Sequence, residues 1–215
     1  MSNEKVIITG TSSGIGKATA ALLKERYEVV GLSRSDGYDI TKRETIENLK
    51  VDNIYAIINN AAVCIKKPFY EYTEEDWDKT IKTNIKPIWL LAKKYLNQLK
   101  KTKGCIINVS SIHATATIEN NSLYAMSKGA MEAFTRALAL ELAPHNIRVN
   151  CVRPGSVMTP MLNYRKGMEK TIPLNRVADP EEIAAVIQWL LNDKYITGEC
   201  ITVDGGITAK LSVER

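Results

Sequence analysis

Val6-Ile7-Ile8-Thr9-Gly10-Thr11-Ser12-Ser13-Gly14-Ile15-Gly16 lies near the start of the 215-residue sequence, and its reading decides the fold. The β-branched run Val6-Ile7-Ile8 predicts a short strand buried on both faces, as in a parallel sheet. Residues 17–26, apolar at Ala18, Ala21, Leu22 and Leu23, predict a helix. Three glycines therefore lie between a strand and a helix. Glycine turns tightly and lets a ligand approach the main chain without a Cβ in the way. The helix N-terminus behind it offers free N–H groups and a positive dipole end, which suits a pyrophosphate. A Gly-rich loop alone is as easily a structural turn. The strand-loop-helix context makes it a candidate dinucleotide loop.

Working outward, Glu28–Leu32 predicts a second strand, followed by Ser33-Arg34. An acid at that point bonds the adenosine ribose hydroxyls, whereas an arginine accommodates a 2′-phosphate. The acid is absent and Arg34 is present, which favours NADP(H), with NAD(H) as the alternative. Residues 41–49 predict a helix capped by Thr41 with Glu44 three on. Residues 54–58 predict a buried strand ending in Asn59-Asn60-Ala61-Ala62. Thr73-Glu74-Glu75-Asp76 predicts a helix start with an acidic first turn. That helix should run to about Lys100, kinked near Asn84 by Pro87. Further strands are predicted over residues 104–109, ending in Ser110-Ser111, over residues 147–152 before Arg153-Pro154-Gly155, and at Cys200–Val203. Asp179-Pro180-Glu181-Glu182 predicts another helix start. Trp89, Leu90, Phe134 and Trp189 are read as core or interface residues, core first. No repeat or linker interrupts the alternation. The expectation is α/β: a single doubly wound parallel sheet of Rossmann type, one domain over residues 1–215.

Tyr124-Ala125-Met126-Ser127-Lys128 sits in a segment predicted helical from Ser122 to Ala143. Four residues apart, Tyr124 and Lys128 share one helix face. A neighbouring ammonium favours the phenolate and should lower the tyrosine pKa from about 10 toward neutrality. The result would be a general acid/base for an alcohol oxygen near neutral pH. The pattern is common, and a half-buried tyrosine beside a solvated lysine would look the same.

Composition narrows the classes. The sequence is 45% hydrophobic and 25% charged, as globular proteins are. Its net charge is +5, but no Lys/Arg run exceeds two residues, which argues against nucleic acid and leaves room for a local phosphate site. Cys64, Cys105, Cys151 and Cys200 form no C-x-x-C pair, and there are two histidines. Reduced thiols and no metal site are therefore expected. No signal-like segment appears, and no apolar run approaches the roughly 18 residues of a membrane helix. A cytoplasmic, soluble protein is expected.

Together these residues resemble the short-chain dehydrogenase/reductase (SDR) family nearly end to end. Thr9-Gly10-x-x-x-Gly14-x-Gly16 resembles its cofactor loop, and Asn59-Asn60-Ala61-Ala62 its Asn-Asn-Ala-Gly. Asn84, Ser111, Tyr124 and Lys128 match its catalytic tetrad in order. Pro154-Gly155, Thr159, Ile196-Thr197-Gly198 and Val203-Asp204-Gly205-Gly206 match its C-terminal markers.

The resemblance implies an NAD(P)(H)-dependent oxidoreductase that interconverts an alcohol and a ketone or aldehyde. Tyr124 would be the acid/base. Lys128 would tune it and bind the nicotinamide ribose. Ser111 would hold the substrate oxygen, and Asn84 would hold a water at the helix kink. Gly10, Ser12, Ser13, Gly14, Ile15, Gly16, Arg34, Asp39, Ile40, Asn60, Ala61, Tyr124, Lys128, Pro154, Val157 and Thr159 occupy cofactor positions.

Three departures stand out. Ala62 replaces a glycine, residues 34–39 are too few for the family's usual helix and strand there, and the lid segment, residues 159–173, is short. His113 and Asn121, with Asn120, are candidate substrate residues and suit a sugar or polyol. A 3-oxoacyl-carrier-protein reductase is the alternative, marked by a basic patch for an acidic carrier. A non-catalytic dinucleotide sensor is the second alternative. The family also implies a homotetramer or homodimer, with the tail from Ile207 reaching a neighbour or fraying.

Overall fold

The computed structural model describes residues 4–210. Strands β1 (Lys5–Thr9), β2 (Glu28–Leu32), β3 (Ile54–Asn59), β4 (Cys105–Val109), β5 (Arg148–Pro154) and β6 (Cys200–Val203) form one parallel sheet in the order β2-β1-β3-β4-β5-β6. The helices are α1 (Gly14–Leu23), α2 (Arg43–Asn48), α3 (Glu74–Asn84), α4 (Lys86–Thr102), α5 (Ser122–Leu142) and α6 (Pro180–Asn192). The chain leaves β1 for β2 on one side and returns to β3 on the other. That reversal opens a crevice at the carboxyl ends of β1 and β3, where ligands bind in such sheets.

Alternation along the strands builds two cores. Ile7, Ile57, Ile106 and Val149 pack with Ile46 of α2, Leu91 of α4 and Leu138 of α5. Val6, Ile8, Ile58 and Ile107 pack on the opposite face with Leu23 of α1 and Ile187 of α6. Each such side chain contributes about 1.5–3 kcal/mol on burial, which holds the strand ends rigid beneath the crevice.

Several local expectations change. The helix predicted over residues 41–49 is only α2, and Lys42 stands at its N-cap without a side-chain cap. Thr41 cannot cap it, because its N–H and hydroxyl both donate to the Asp39 carboxylate, at 3.1 and 2.7 Å. This Asx turn competes with the helix start. The long helix breaks into α3 and α4 at Ile85. Pro87 lacks the N–H that a continuous ladder requires. Thr73 and Asp76 form the capping box of α3.

After β2 the chain makes a single tight turn, Arg34–Asp36, closed by Gly37 at φ 84°. It then passes directly to Asp39 and Ile40, so β2 is an edge strand. Leu90 is buried and Phe134 packs against the core, but Trp89 and Trp189 are 46% and 48% exposed, so the core assignment of both tryptophans is corrected. Their helix faces turn outward while Leu91 and Leu190 take the inward positions. Residues 211–215 of the tail, which was expected to reach a neighbour or fray, lie outside the described residues. Among the described residues, no helix is long and apolar enough to cross a membrane.

The glycine loop is locked from below. A Cβ on Gly16 would lie 2.2 Å from the Gly10 carbonyl oxygen and 2.4 Å from Asn60 Nδ2. Gly16→Ala should therefore cost about 1–3 kcal/mol of stability in a urea unfolding series. An unchanged midpoint would show that the loop yields without cost.

Candidate active site

The carboxyl ends of β1, β3, β4 and β5 open into a cleft of about 1250 Å³. Asn60 builds its floor. Thr9 Oγ1 accepts the N–H groups of Asn60 and Ala61, each at 3.0 Å. Asn60 Nδ2 donates to the carbonyls of Thr9 and Gly10, at 2.9 and 3.2 Å. Gly10 adopts φ 76°, a conformation open to glycine and costly to most other residues. A Cβ on Gly14 would strike Thr159 Cγ2 at 2.8 Å, so the loop also packs against the far wall.

Of the predicted cofactor residues, Gly10, Ser12, Ser13, Gly14, Ile15, Arg34, Asp39, Ile40, Asn60, Ala61, Tyr124, Lys128, Pro154, Val157 and Thr159 all line this cleft. Gly16 is not among its lining residues; it lies under the loop, against Gly10. At the adenosine end, the Thr41 hydroxyl holds the Asp39 carboxyl below the usual carboxylate range, and Arg34 adds to the effect. Asp36 accepts the Ser33 hydroxyl.

The opposite end brings Ser111, His113, Tyr124 and Lys128 together. Ser111 follows β4, while one face of α5 carries Tyr124 and Lys128. Lys128 is buried, and its Nζ donates to the Val109 carbonyl at 2.6 Å. The ammonium lies 5.5 Å from the Tyr124 ring centroid. Burial lowers the Lys128 pKa to about 8.

Burial also pushes the Tyr124 phenol up to about 12, against the lowering effect of its hydrogen bond with Ser111. The expected lowering of its pKa toward neutral pH is thereby corrected. In the free site, the cost of burying a phenolate outweighs a lysine bonded to a carbonyl elsewhere. The His113 ring meets Tyr124 edge-on, 5.9 Å between centroids, and the His113 main-chain N–H donates to Ser111 Oγ at 3.2 Å. Burial, then the charge of Lys66, lowers the His113 pKa and favours the neutral imidazole.

Asn84 stands behind this wall at the break between α3 and α4. Its Oδ1 accepts the Val63 N–H at 2.8 Å, and its Nδ2 donates to the Val63 carbonyl and to Ser127 Oγ, both at 3.0 Å. Ser127 in turn donates to the Tyr124 carbonyl. The asparagine thus ties the β3 loop to the Tyr/Lys helix. Asn121 does not reach the cleft. It is buried at the N-terminus of α5 and accepts from Cys64 Sγ, while Asn120 lines the opening.

The sequence reading passed over three residues. Cys64 and Lys66 line the reacting end, and their place just after Asn-Asn-Ala-Ala was the available signal. Glu132, one turn after Lys128, is buried and accepts Ser110 Oγ at 2.9 Å and Arg153 Nε and Nη2 at 2.9 and 2.6 Å. A forked arginine satisfies a buried carboxylate that would otherwise be very costly. Glu132 thereby fixes the neighbour of Ser111 and the neighbour of Pro154.

A family model described as enoyl-(acyl carrier protein) reductase matches residues 38–208. L-xylulose reductase of Homo sapiens is 33% identical over 239 residues, covering 97% of this chain and 98% of that protein. The structure of aldohexose dehydrogenase from Thermoplasma acidophilum aligns with a TM-score of 0.90 at 26% identity, over 99% of this chain and 97% of that one. That of a 3-ketoacyl-(acyl-carrier-protein) reductase from Brucella melitensis, complexed with NADH, gives 0.88 at 26%, over 95% and 98%.

Lys128 has a signature in stability. With a folded pKa near 8 and an ordinary value near 10.5, the unfolded chain binds a proton that the native state lacks between those limits. Stability from this group is therefore missing below pH 8 and is recovered as pH rises through the window. Lys128→Met removes the effect. Its stability gain over the parent should shrink by about 2 kcal/mol between pH 7 and pH 9.5, measured by denaturant unfolding. An equal difference at both pH values would contradict it.

Proposed function

The chain belongs to the short-chain dehydrogenase/reductase family, and from that premise we propose that it interconverts a small alcohol and its ketone or aldehyde, with Tyr124 as the acid/base. The observation that carries this reading is the pairing of Ser111 with Tyr124 over the buried Lys128, at one end of a cleft floored by cofactor-type glycines. The fit to a dinucleotide is specific. Side chains are absent at Gly10 and Gly14, where a pyrophosphate would need the main chain, and Arg34 stands at the adenosine end. When bound, the nicotinamide cofactor would supply or accept the hydride and, in its oxidised form, add a positive charge. NADP(H) is favoured through Arg34.

Ser111 would orient the substrate oxygen toward Tyr124, which would exchange a proton with it. Lys128, with a pKa near 8, can hold or release a proton at working pH and so serve Tyr124 as a reservoir. Asn84 would keep α5 in register with the β3 loop. His113 would contact a substrate hydroxyl in its neutral form. Residues 1–215 would act as one domain containing both cofactor and substrate sites.

A sugar or polyol is the first substrate reading. The polar opening at His113 and Asn120 supports it, as do the sugar-directed relatives. The second is a 3-oxoacyl thioester on an acidic carrier. Lys66, Lys67, Lys79 and Arg165 line the cleft and form the basic patch that this reading requires, although Lys67 is paired with Asp76 at 2.7 Å. The exposed Trp89, Leu140 and Trp189 support a homotetramer or homodimer. The free thiols suit the cytoplasm.

Purified protein should consume NADPH with members of a ketose and aldose panel and form it from NADP+ with members of a polyol panel, both followed by NADPH absorbance. Turnover of 3-oxoacyl thioesters alone would establish the second reading, and no turnover with either would refute both. Arg34→Ala should weaken NADPH binding at least tenfold, about 1.4 kcal/mol, and leave NADH unchanged in a fluorescence titration. Equal loss for both cofactors would remove Arg34 from the phosphate site.

A further inference from the structure

Two cysteines outside the cleft chemistry are placed side by side. Cys151 of β5 is the register partner of Cys200 of β6. Adjacent strands run about 4.8 Å apart, within the roughly 4.4–6.8 Å between Cα atoms that a disulfide spans. The main chain is therefore already at bonding distance. Both thiols face α5, and their sulfurs and a Glu132 carboxylate oxygen all lie within 4.8 Å of one another.

That trio has the donors of a metal site, but the carboxylate is already held by Ser110 and by both arms of the Arg153 fork. A guanidinium against the carboxylate opposes a second cation. Cys151 Sγ donates a weak bond to the Val152 carbonyl at 3.6 Å, and the Cys200 sulfur lies within 4.8 Å of it. Cys151 is fully buried, whereas Cys200 is partly exposed. A hydrogen bond from Cys151 lowers the Cys200 thiol pKa, and Arg153 and Arg136 favour its thiolate. The more reachable sulfur is thus also the more nucleophilic by charge state.

We propose that Cys151 and Cys200 are a redox-active dithiol that closes to a cross-strand disulfide when a peroxide oxidises Cys200. In the first step the Cys200 sulfur attacks one peroxide oxygen, the O–O bond breaks, and a sulfenic acid and one water form. In the second the Cys151 sulfur attacks the Cys200 sulfur, the S–O bond breaks, and hydroxide leaves with the Cys151 proton as a second water. The two thiols lose two electrons and two protons, which hydrogen peroxide gains. The bond would lie beneath the Glu132 node that fixes Ser110 and Arg153, so this modification borders the wall of the cleft.

The test is peptide mapping of the full chain after hydrogen peroxide, with free thiols alkylated before digestion. The expected product is a Cys151–Cys200 linked peptide, lighter by two hydrogens than its two thiol parts and split by dithiothreitol. Cys105, fully buried with its thiol pushed up to about 11, should stay reduced as an internal control. Cys200→Ser should leave Cys151 unlinked and alkylatable after unfolding. The proposal is overturned if Cys200 advances to sulfinic or sulfonic acid without a linked peptide. It is equally overturned if both thiols survive peroxide that has oxidised Cys64. The readout is independent of turnover and of the substrate reading.

Discussion

Lys128 carries an ammonium into the interior and anchors it on the Val109 carbonyl at 2.6 Å, at the last residue of β4. Much of the reacting end depends on this bond. It docks α5 against the sheet edge at the level where Ser110 and Ser111 leave β4. One turn back along α5 stands Tyr124, and one turn on stands Glu132, whose carboxylate holds Ser110 and Arg153. A single helix face therefore sets the positions of the phenol, the hydroxyl that bonds it and the end of β5. The anchor has a cost, because a buried ammonium is destabilised, and that same cost brings its pKa to about 8.

A polar seam crosses the otherwise apolar layer between the sheet and α5. Asn59 donates to Asn108 and Asn108 to Thr135, both at 2.8 Å, and Thr135 closes on the Met131 carbonyl. With Ser110, Glu132 and Arg153 it forms a line of polar contacts leading toward the cleft, with the buried Asn59 Oδ1 left without a hydrogen-bond partner at its start. Apolar packing of the same volume would hold α5 as firmly but would not fix its rotation and height as narrowly. Those two variables decide whether Ser111 and Tyr124 meet.

Much of this was legible in the sequence, for physical reasons. The strands are runs of buried β-branched residues, and the loop chemistry of Gly10, Gly14 and Asn60 is fixed by what can bend or approach there. Pro87 announced the break at Ile85, and Thr73 the start of α3. What escaped depended on neighbours distant in sequence. Thr41 was claimed by Asp39 rather than by its own helix. Trp89 and Trp189 could be assigned a face only once their helices had docked. Asn121 lay next to the right loop but was turned into the protein by Cys64. The Tyr124 pKa was misread because four-residue spacing gives a shared helix face and says nothing of desolvation, or of where the lysine's donors are spent.

The central claim is that Tyr124 exchanges the proton in a cleft that binds a nicotinamide dinucleotide. Its most direct test compares Tyr124→Phe with the parent in two measurements on the same sample, NADPH binding by fluorescence and turnover of the best substrate. The account predicts unchanged cofactor affinity and a turnover loss of at least about 10²–10⁴-fold, the usual contribution of a positioned acid/base. Turnover that survives the loss of the hydroxyl would contradict the account.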